Sequence, residues 1–299
     1  MTTSITTPPP APPAAPPPAH PLAPRNLWAA AVASYVPLLI ATAVVVLPLL
    51  WMVLASFKTT SEILTTDLSF LPRSLAPTNY IQAADEVPFG RLFLNSTIVT
   101  VVGAAIKVAL AIMTAYALVF VRFPFKSLVF AGILATLMVP PQVSLLPNYL
   151  FITGLGGADT YWGIILPGLG TGFGTFLLRQ QFMTLPQSIM EAAEIDGAGH
   201  WRRLTRIVIP ISMPSIVTVA LVSIVFEWND YLWPLVIVSD PNMMTLPVGL
   251  TLLSNSESKL SAFGVLMAGS VAVIIPVLIV FTALQRYIIA GLTQGAVKD

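Results

Sequence analysis

Long apolar runs separated by short polar connectors organise most of the chain. Six runs are long enough to cross a bilayer: residues 30–56, 94–120, 127–150, 160–179, 211–236 and 264–288. A hydrocarbon core of about 30 Å takes roughly 20 apolar helical residues to cross. The pattern therefore predicts an all-α membrane protein with six transmembrane helices. Pro37, Pro48, Pro140, Pro141, Pro167 and Pro276 fall inside these runs and predict kinks, which neighbouring helices tolerate in a membrane. The fourth run is the weakest because it is crowded with glycine. Its Gly168/Gly172 and Gly170/Gly174 pairs have the small-xxx-small spacing that lets helices approach closely.

One long polar stretch, residues 191–210, interrupts the apolar C-terminal half and predicts two short helices with a bend between them. Ser188 and Glu191 have the spacing of a capping box, in which the two side chains satisfy free amides at a helix start. Gly197 supplies a stop, since glycine adopts the left-handed backbone that closes many helices. The helix between them has about eight residues, too few to be stable alone in water, so it must dock on something. Ile189, Ala192, Ala193 and Ile195 predict an apolar surface suited to a partner's groove. After the Gly197-Ala198-Gly199 bend, Trp201, Leu204, Ile207 and Val208 fall on one predicted face and Arg202, Arg203 and Arg206 on the other. Pro210 then ends that helix. On these features alone, a docking part and an amphipathic loop lying on lipid headgroups are equally good readings.

Composition narrows the class. Of 299 residues, 56% are hydrophobic and only 9% charged, against about 25% charged in soluble domains. A net charge of +1 is no nucleic-acid surface. Without cysteine, and with His20 and His200 as the only histidines, no disulfide, thiol nucleophile or metal set is expected. The glycines at 168–174 lack the lysine and spacing of a phosphate loop, and no Walker A sequence occurs. No catalytic residue and no cofactor are therefore expected. Residues 1–26 carry Pro8-Pro9-Pro10, Pro12-Pro13 and Pro16-Pro17-Pro18, which predict a disordered or polyproline-like tail. They lack the basic start and apolar run of a signal peptide.

Lysine and arginine set the expected orientation. With the N-terminus inside, the cytoplasmic side collects Arg25, Arg122, Lys126, Arg179, Arg202, Arg203, Arg206, Arg286 and Lys298. The outer side holds Lys58, Arg73, Arg91 and Lys259, together with Glu62, Asp67, Asp85, Glu86, Asp159, Asp240 and Glu257. Both termini and the 180–210 loop are expected in the cytoplasm.

The loop also resembles a known family. Glu191-Ala192-Ala193, then Asp196-Gly197, then Ile207 and Ile209-Pro210 are similar to the EAA loop of binding-protein-dependent ABC importer permeases. That pattern prefers Leu where this chain has Ile209. Ser56-Phe57-Lys58, Pro77-Thr78-Asn79-Tyr80, Asn95-Ser96, Trp228-Asn229-Asp230-Tyr231, Gln285-Arg286 and Gly291 to Lys298 resemble the MalG-type permeases of carbohydrate importers. Lys107, the run Val121-Arg122-Phe123-Pro124 and Glu227 to Pro234 look closest to the sn-glycerol-3-phosphate branch.

The resemblance implies a type I ABC importer permease fold over residues 27–299, with its core at 91–288, in a bacterial inner membrane. Glu191, Ala192, Ala193, Asp196, Gly197, Ile207 and Pro210 would belong to a coupling helix and bend engaging an ATP-binding subunit. The implied partners are a second permease, forming a heterodimer, a dimer of ATP-binding subunits and an extracytoplasmic solute-binding protein. The C-terminal tail would also touch the ATPase. The solute would be a sugar or sugar-phosphate-like molecule, such as sn-glycerol-3-phosphate or a glycerophosphodiester.

Charges inside the apolar runs cost at least about 2.5–3.5 kcal/mol each, so they invite a role. Lys107 lies near mid-membrane, with Glu227 and Asp230 in the outer half of the fifth run. Their depths differ by about 6–8 Å at 1.5 Å per residue, a gap that a lysine side chain covers. One reading makes Lys107 a cationic station for phosphate, with Asn229, Asp230 and Tyr231 hydrogen-bonding hydroxyls. The other makes Lys107 and Glu227 a packing ion pair, and Trp228, Tyr231 and Trp233 an interfacial belt. An ion-coupled secondary transporter using Glu227 and Asp230 is the alternative function, and it would need inverted repeats that the chain does not display.

Overall fold

The computed structural model describes residues 27–64, 69–73, 75, 77–254 and 263–293. The Pro-rich tail, Asp67, Glu257, Lys259 and the C-terminal patch from Gln294 lie outside these. All regular elements among the described residues are helical. The chain divides into two units between Leu49 and Leu50. Helix α1 (Leu27–Ala55) continues through Pro37 and Pro48. From Tyr35 to Leu50 its side chains are exposed, as expected of an all-round apolar helix whose solvent is lipid.

The second unit begins with the end of α1 from Leu50, followed by two short helices, α2 (Thr60–Leu64) and α3 (Thr78–Glu86), and then α4 (Phe89–Phe120). Next come α5 (Lys126–Thr136) and α6 (Leu145–Gly154), joined through a 3-10 turn at Pro141–Ser144. Helices α7 (Tyr161–Ile165) and α8 (Gly172–Met183) follow, with another 3-10 turn at Leu166–Leu169 between them. The polar loop folds as α9 (Gln187–Ile195) and α10 (His200–Ile211). Helices α11 (Met213–Trp228), α12 (Leu232–Ile237), α13 (Leu246–Ser254) and α14 (Phe263–Thr293) complete the unit.

Among the described residues, three helices are by themselves long and apolar enough to cross a membrane, and three bent pairs raise this to as many as six crossings. The third expected run is not one kinked helix: it turns by 91° between α5 and α6. Successive prolines explain the break, because Pro141 forces Pro140 out of the helical region (φ −61°, ψ 132°) and neither donates an amide hydrogen bond. The fifth expected run is also divided. Helix α11 stops at Trp228, and α12 starts only after Asn229–Tyr231.

Helix α4 is the axis of the second unit and contributes to each of its three apolar clusters. Ala111, Ala115 and Tyr116 of α4 meet Leu178 and Phe182 of α8 and Val219 of α11. Leu92 meets Trp228, Leu246 and Val265, while Val99 joins Ile152, Ile164 and Ile237. The helices approach closely at Gly174, where a Cβ would lie 3.0 Å from Val219 and 3.1 Å from Ala111. A Cβ on Gly172 would lie 2.8 Å from Leu137. Gly170 faces open space, because the chain bends between it and Gly174. Of the second expected pair, Gly174 makes the close approach and Gly170 does not.

Candidate functional site

Helix α9 starts one residue before the expected cap. Pro186 takes the N-cap position without a side-chain hydrogen bond, and the helix starts at Gln187. Ser188 consequently falls inside the first turn, and Glu191 accepts from Gln187 Nε2 at 2.9 Å instead of forming the capping box. The other end is as expected. Gly197 has φ +71°, its N–H bonds the Glu194 carbonyl at 3.0 Å, and the Ala198 N–H bonds that of Ala193 at 2.9 Å. These two bonds make a Schellman motif, the closure for which glycine is best suited.

The three-residue spacing of Met190 and Ala193 turns both toward the protein's own core. Ala193 is thus not part of the outward surface expected of it. That surface consists of Ile189, Glu191, Ala192, Ile195 and Asp196, with Ile195 86% exposed. Helix α10 differs more from its sequence pattern. Leu204–Val208 form a π turn, which shifts the angular register of the residues around it. Leu204 and Val208 are buried with α4 and α8, but Trp201 is exposed and Arg203 is buried. The expected separation of apolar and arginine faces therefore fails at both residues. The helix also passes through Pro210 and ends at Ile211, because the wider π turn just before it makes room for the ring. The chain then bends by 83° into α11.

The membrane charges meet. Lys107 Nζ on α4 contacts Glu227 Oε1 on α11, with side chains 19% and 9% exposed. Two glycines leave room for the pair: a Cβ on Gly103 would sit 3.2 Å from Glu227 Oε2, and one on Gly168 3.5 Å from Lys107 Nζ. Three residues on, the break between α11 and α12 presents Asn229 and Tyr231 at the surface. Asn229 Nδ2 donates to the Val225 carbonyl at 2.7 Å. The Asp230 carboxylate faces the backbone N–H groups of Trp233 and Tyr231 at the start of α12. Of the residues expected in an interfacial belt, Trp228 is buried, and both tryptophan N–H groups bond inside the protein. Trp228 Nε1 donates to the Val273 carbonyl at 3.1 Å, and Trp233 Nε1 to those of Gly163 and Ile164 at 3.2 and 3.0 Å.

Against this geometry, residues 107–294 match the family of binding-protein-dependent transport system inner membrane components. The chain belongs to that family. It is 33% identical over 277 residues to the sn-glycerol-3-phosphate transport system permease protein UgpE of Agrobacterium fabrum, covering 90% of this chain and 98% of that one. The corresponding protein of Pectobacterium atrosepticum is 33% identical over 268 residues, covering 88% and 95%. A bacterial ABC transporter involved in import of the acidic polysaccharide alginate superposes with a TM-score of 0.75 at 25% identity, covering 90% of this chain and 99% of that one. A chain of a bacterial alginate ABC transporter in complex with a pentasaccharide-bound periplasmic protein shares the fold, with a TM-score of 0.52 at 12% identity and coverage of 87% and 96%.

As an ABC importer permease, the chain is a multi-pass inner-membrane protein and not an enzyme. Its family motifs act as joints in this structure. Asn79 Nδ2 donates to the carbonyls of Ser56 and Lys58, both at 2.8 Å, and Ser56 Oγ lies 2.7 Å from Tyr80 Oη. Fully buried Asn95 donates to the carbonyls of Asn242 and Met244 and accepts from Tyr161. Sequence reasoning missed Asn242, Met244 and Tyr161 as its partners, because hydropathy carries no signal for contacts so distant in the chain.

Proposed function

We propose that the chain is one of two membrane-spanning subunits of an ATP-driven importer for a sugar or sugar-phosphate-like solute. The domain comprises residues 27–299, with the transport core at 91–288. Lys/Arg bias supports cytoplasmic termini and a cytoplasmic 180–210 loop. Glu191, Ala192, Ala193, Asp196, Gly197, Ile207 and Pro210 form the coupling part. Its outward face, with Ile189, Ala192 and Ile195, enters a cleft of one of two ATP-binding subunits. Its inward face passes motion on. Met190, Leu204 and Val208 are buried in the same cluster as Ala111, Leu178 and Val219, so a push on α9 acts on α4, α8 and α11 together. This two-faced anchoring is the observation that carries the reading. Closure of the ATPases would then reorient the pathway from inward- to outward-facing, admitting solute from an extracytoplasmic binding protein.

Lys107, Glu227, Asn229, Asp230 and Tyr231 are assigned to the solute pathway. With the Lys107 charge held by Glu227, the pair orders α4 against α11, and Asn229, Asp230 and Tyr231 meet solute hydroxyls. The relatives' names support sn-glycerol-3-phosphate as solute. The alginate transporter in complex with its periplasmic protein supports delivery by a solute-binding protein.

Gly197→Val tests the mechanical part. The expected outcome is normal membrane insertion with ATP hydrolysis no longer linked to uptake. Full uptake by that variant would sink the coupling assignment.

A further inference from the structure

Arg203 is the one arginine of the loop that points inward. It is 8% exposed, and its Nη1 donates to Glu194 Oε2 at 3.0 Å across the Gly197 bend. Its Nη2 lies 3.5 Å from His200 Nδ1, and the same nitrogen lies 3.1 Å from the hydroxyl of Tyr116. Nδ1 thus lies between the Arg203 guanidinium and the Tyr116 hydroxyl, and the imidazole tautomer decides which atom of the Tyr116–His200 pair donates. Tyr116 is 5% exposed on α4, edge-on to the His200 ring at 6.0 Å and beside Phe120 at 5.2 Å.

Four polar side chains thus join three elements: Glu194 on α9, His200 and Arg203 on α10, and Tyr116 on α4. The bend they bridge has glycine at both ends, Gly197 and Gly199, with nothing within 4 Å of a Cβ built on either. No side chain packs against the two glycines themselves, so α9 and α10 are held together by contacts on either side of the bend. The Glu194 contact spans it and restrains the angle between α9 and α10. Nine residues, about 13 Å at 1.5 Å per residue, separate Tyr116 from Lys107 along α4.

We propose that Arg203 is a positioning residue that sets the coupling helix against α10 through Glu194 and passes its movement to α4 through His200 and Tyr116. The proposal rests on the coupling role given to α9 above. Glu194 carries the moving end, since its side chain is 72% exposed, and Arg203 is the anchored end at 10%.

The test uses the complete transporter in proteoliposomes and reads solute imported per ATP hydrolysed, with the amount of assembled complex measured in parallel. Glu194→Gln and Tyr116→Phe keep size and shape and remove one contact each. Each is expected to lower the import-to-hydrolysis ratio about fivefold, the scale of a partly exposed charge-assisted contact. ATPase activity and complex yield should stay near the parent's. Because the contacts act in series, the double variant should lose no more than the worse single one. Unchanged ratios in both single variants would overturn the proposal. So would equal falls in hydrolysis, import and yield, which is how a purely structural pair behaves. Gly197→Val separates the two levels: if it uncouples while Glu194→Gln and Tyr116→Phe do not, only the Arg203 link fails.

Discussion

Removing Lys107 leaves Glu227, with a side chain only 9% exposed, without its partner. Breaking such a pair from one side costs about 3–5 kcal/mol, whereas replacing both charges costs far less. Lys107→Met is therefore expected to lower the thermal stability of the detergent-extracted complex, and adding Glu227→Gln should recover most of the loss. If the pair orders helices, Lys107→Met reduces uptake of a phosphorylated and of a neutral solute equally. Selective loss of the phosphorylated one would make Lys107 a direct anion contact. This pair was legible in the sequence because two lone charges in apolar runs have few other ways to lower their cost. Arg203 was not legible. Helical periodicity assigned it to the outer face, and a π turn cannot be read from a 3.6-residue period.

At the scale of elements, glycine and proline carried most of the usable information, though not the angles. Gly197 marked the end of α9, and its positive φ and two closing hydrogen bonds bear this out. Valine there meets a left-handed backbone at a cost of about 1–2 kcal/mol. The expected result of Gly197→Val is a shifted coupling helix in a protein that still inserts, visible as intact complex whose ATPase rate no longer rises with loaded binding protein. Pro140-Pro141 announced a kink, and the structure turns it into a 91° break. Pro210 announced a stop, yet the helix runs one residue past it. Local rules give the place of an interruption, and the surrounding packing decides its geometry.

For the whole molecule, hydropathy separated the crossings because the bilayer imposes one length on all of them. The long-range joints were beyond that signal. Asn95 reaches residues 242 and 244, and Trp233 reaches Gly163, through hydrogen bonds whose partners are polar backbone atoms. Orientation is a whole-molecule property, and the absence of native cysteine makes it measurable with single reporters. In intact spheroplasts, Phe70→Cys should react with a membrane-impermeant maleimide and Ile195→Cys should not. Both positions are well exposed, at 70% and 86%, so access to the reagent decides the result.

The coupling of this permease to an ATPase through the outer face of α9 is tested most directly by cross-linking from that same reporter. In the assembled transporter, Ile195→Cys carrying a short photoreactive cross-linker should attach to the ATP-binding subunit, and Phe70→Cys should not. An assembled, ATP-hydrolysing complex with no ATPase adduct from Ile195→Cys, or with an adduct from Phe70→Cys instead, would contradict the account.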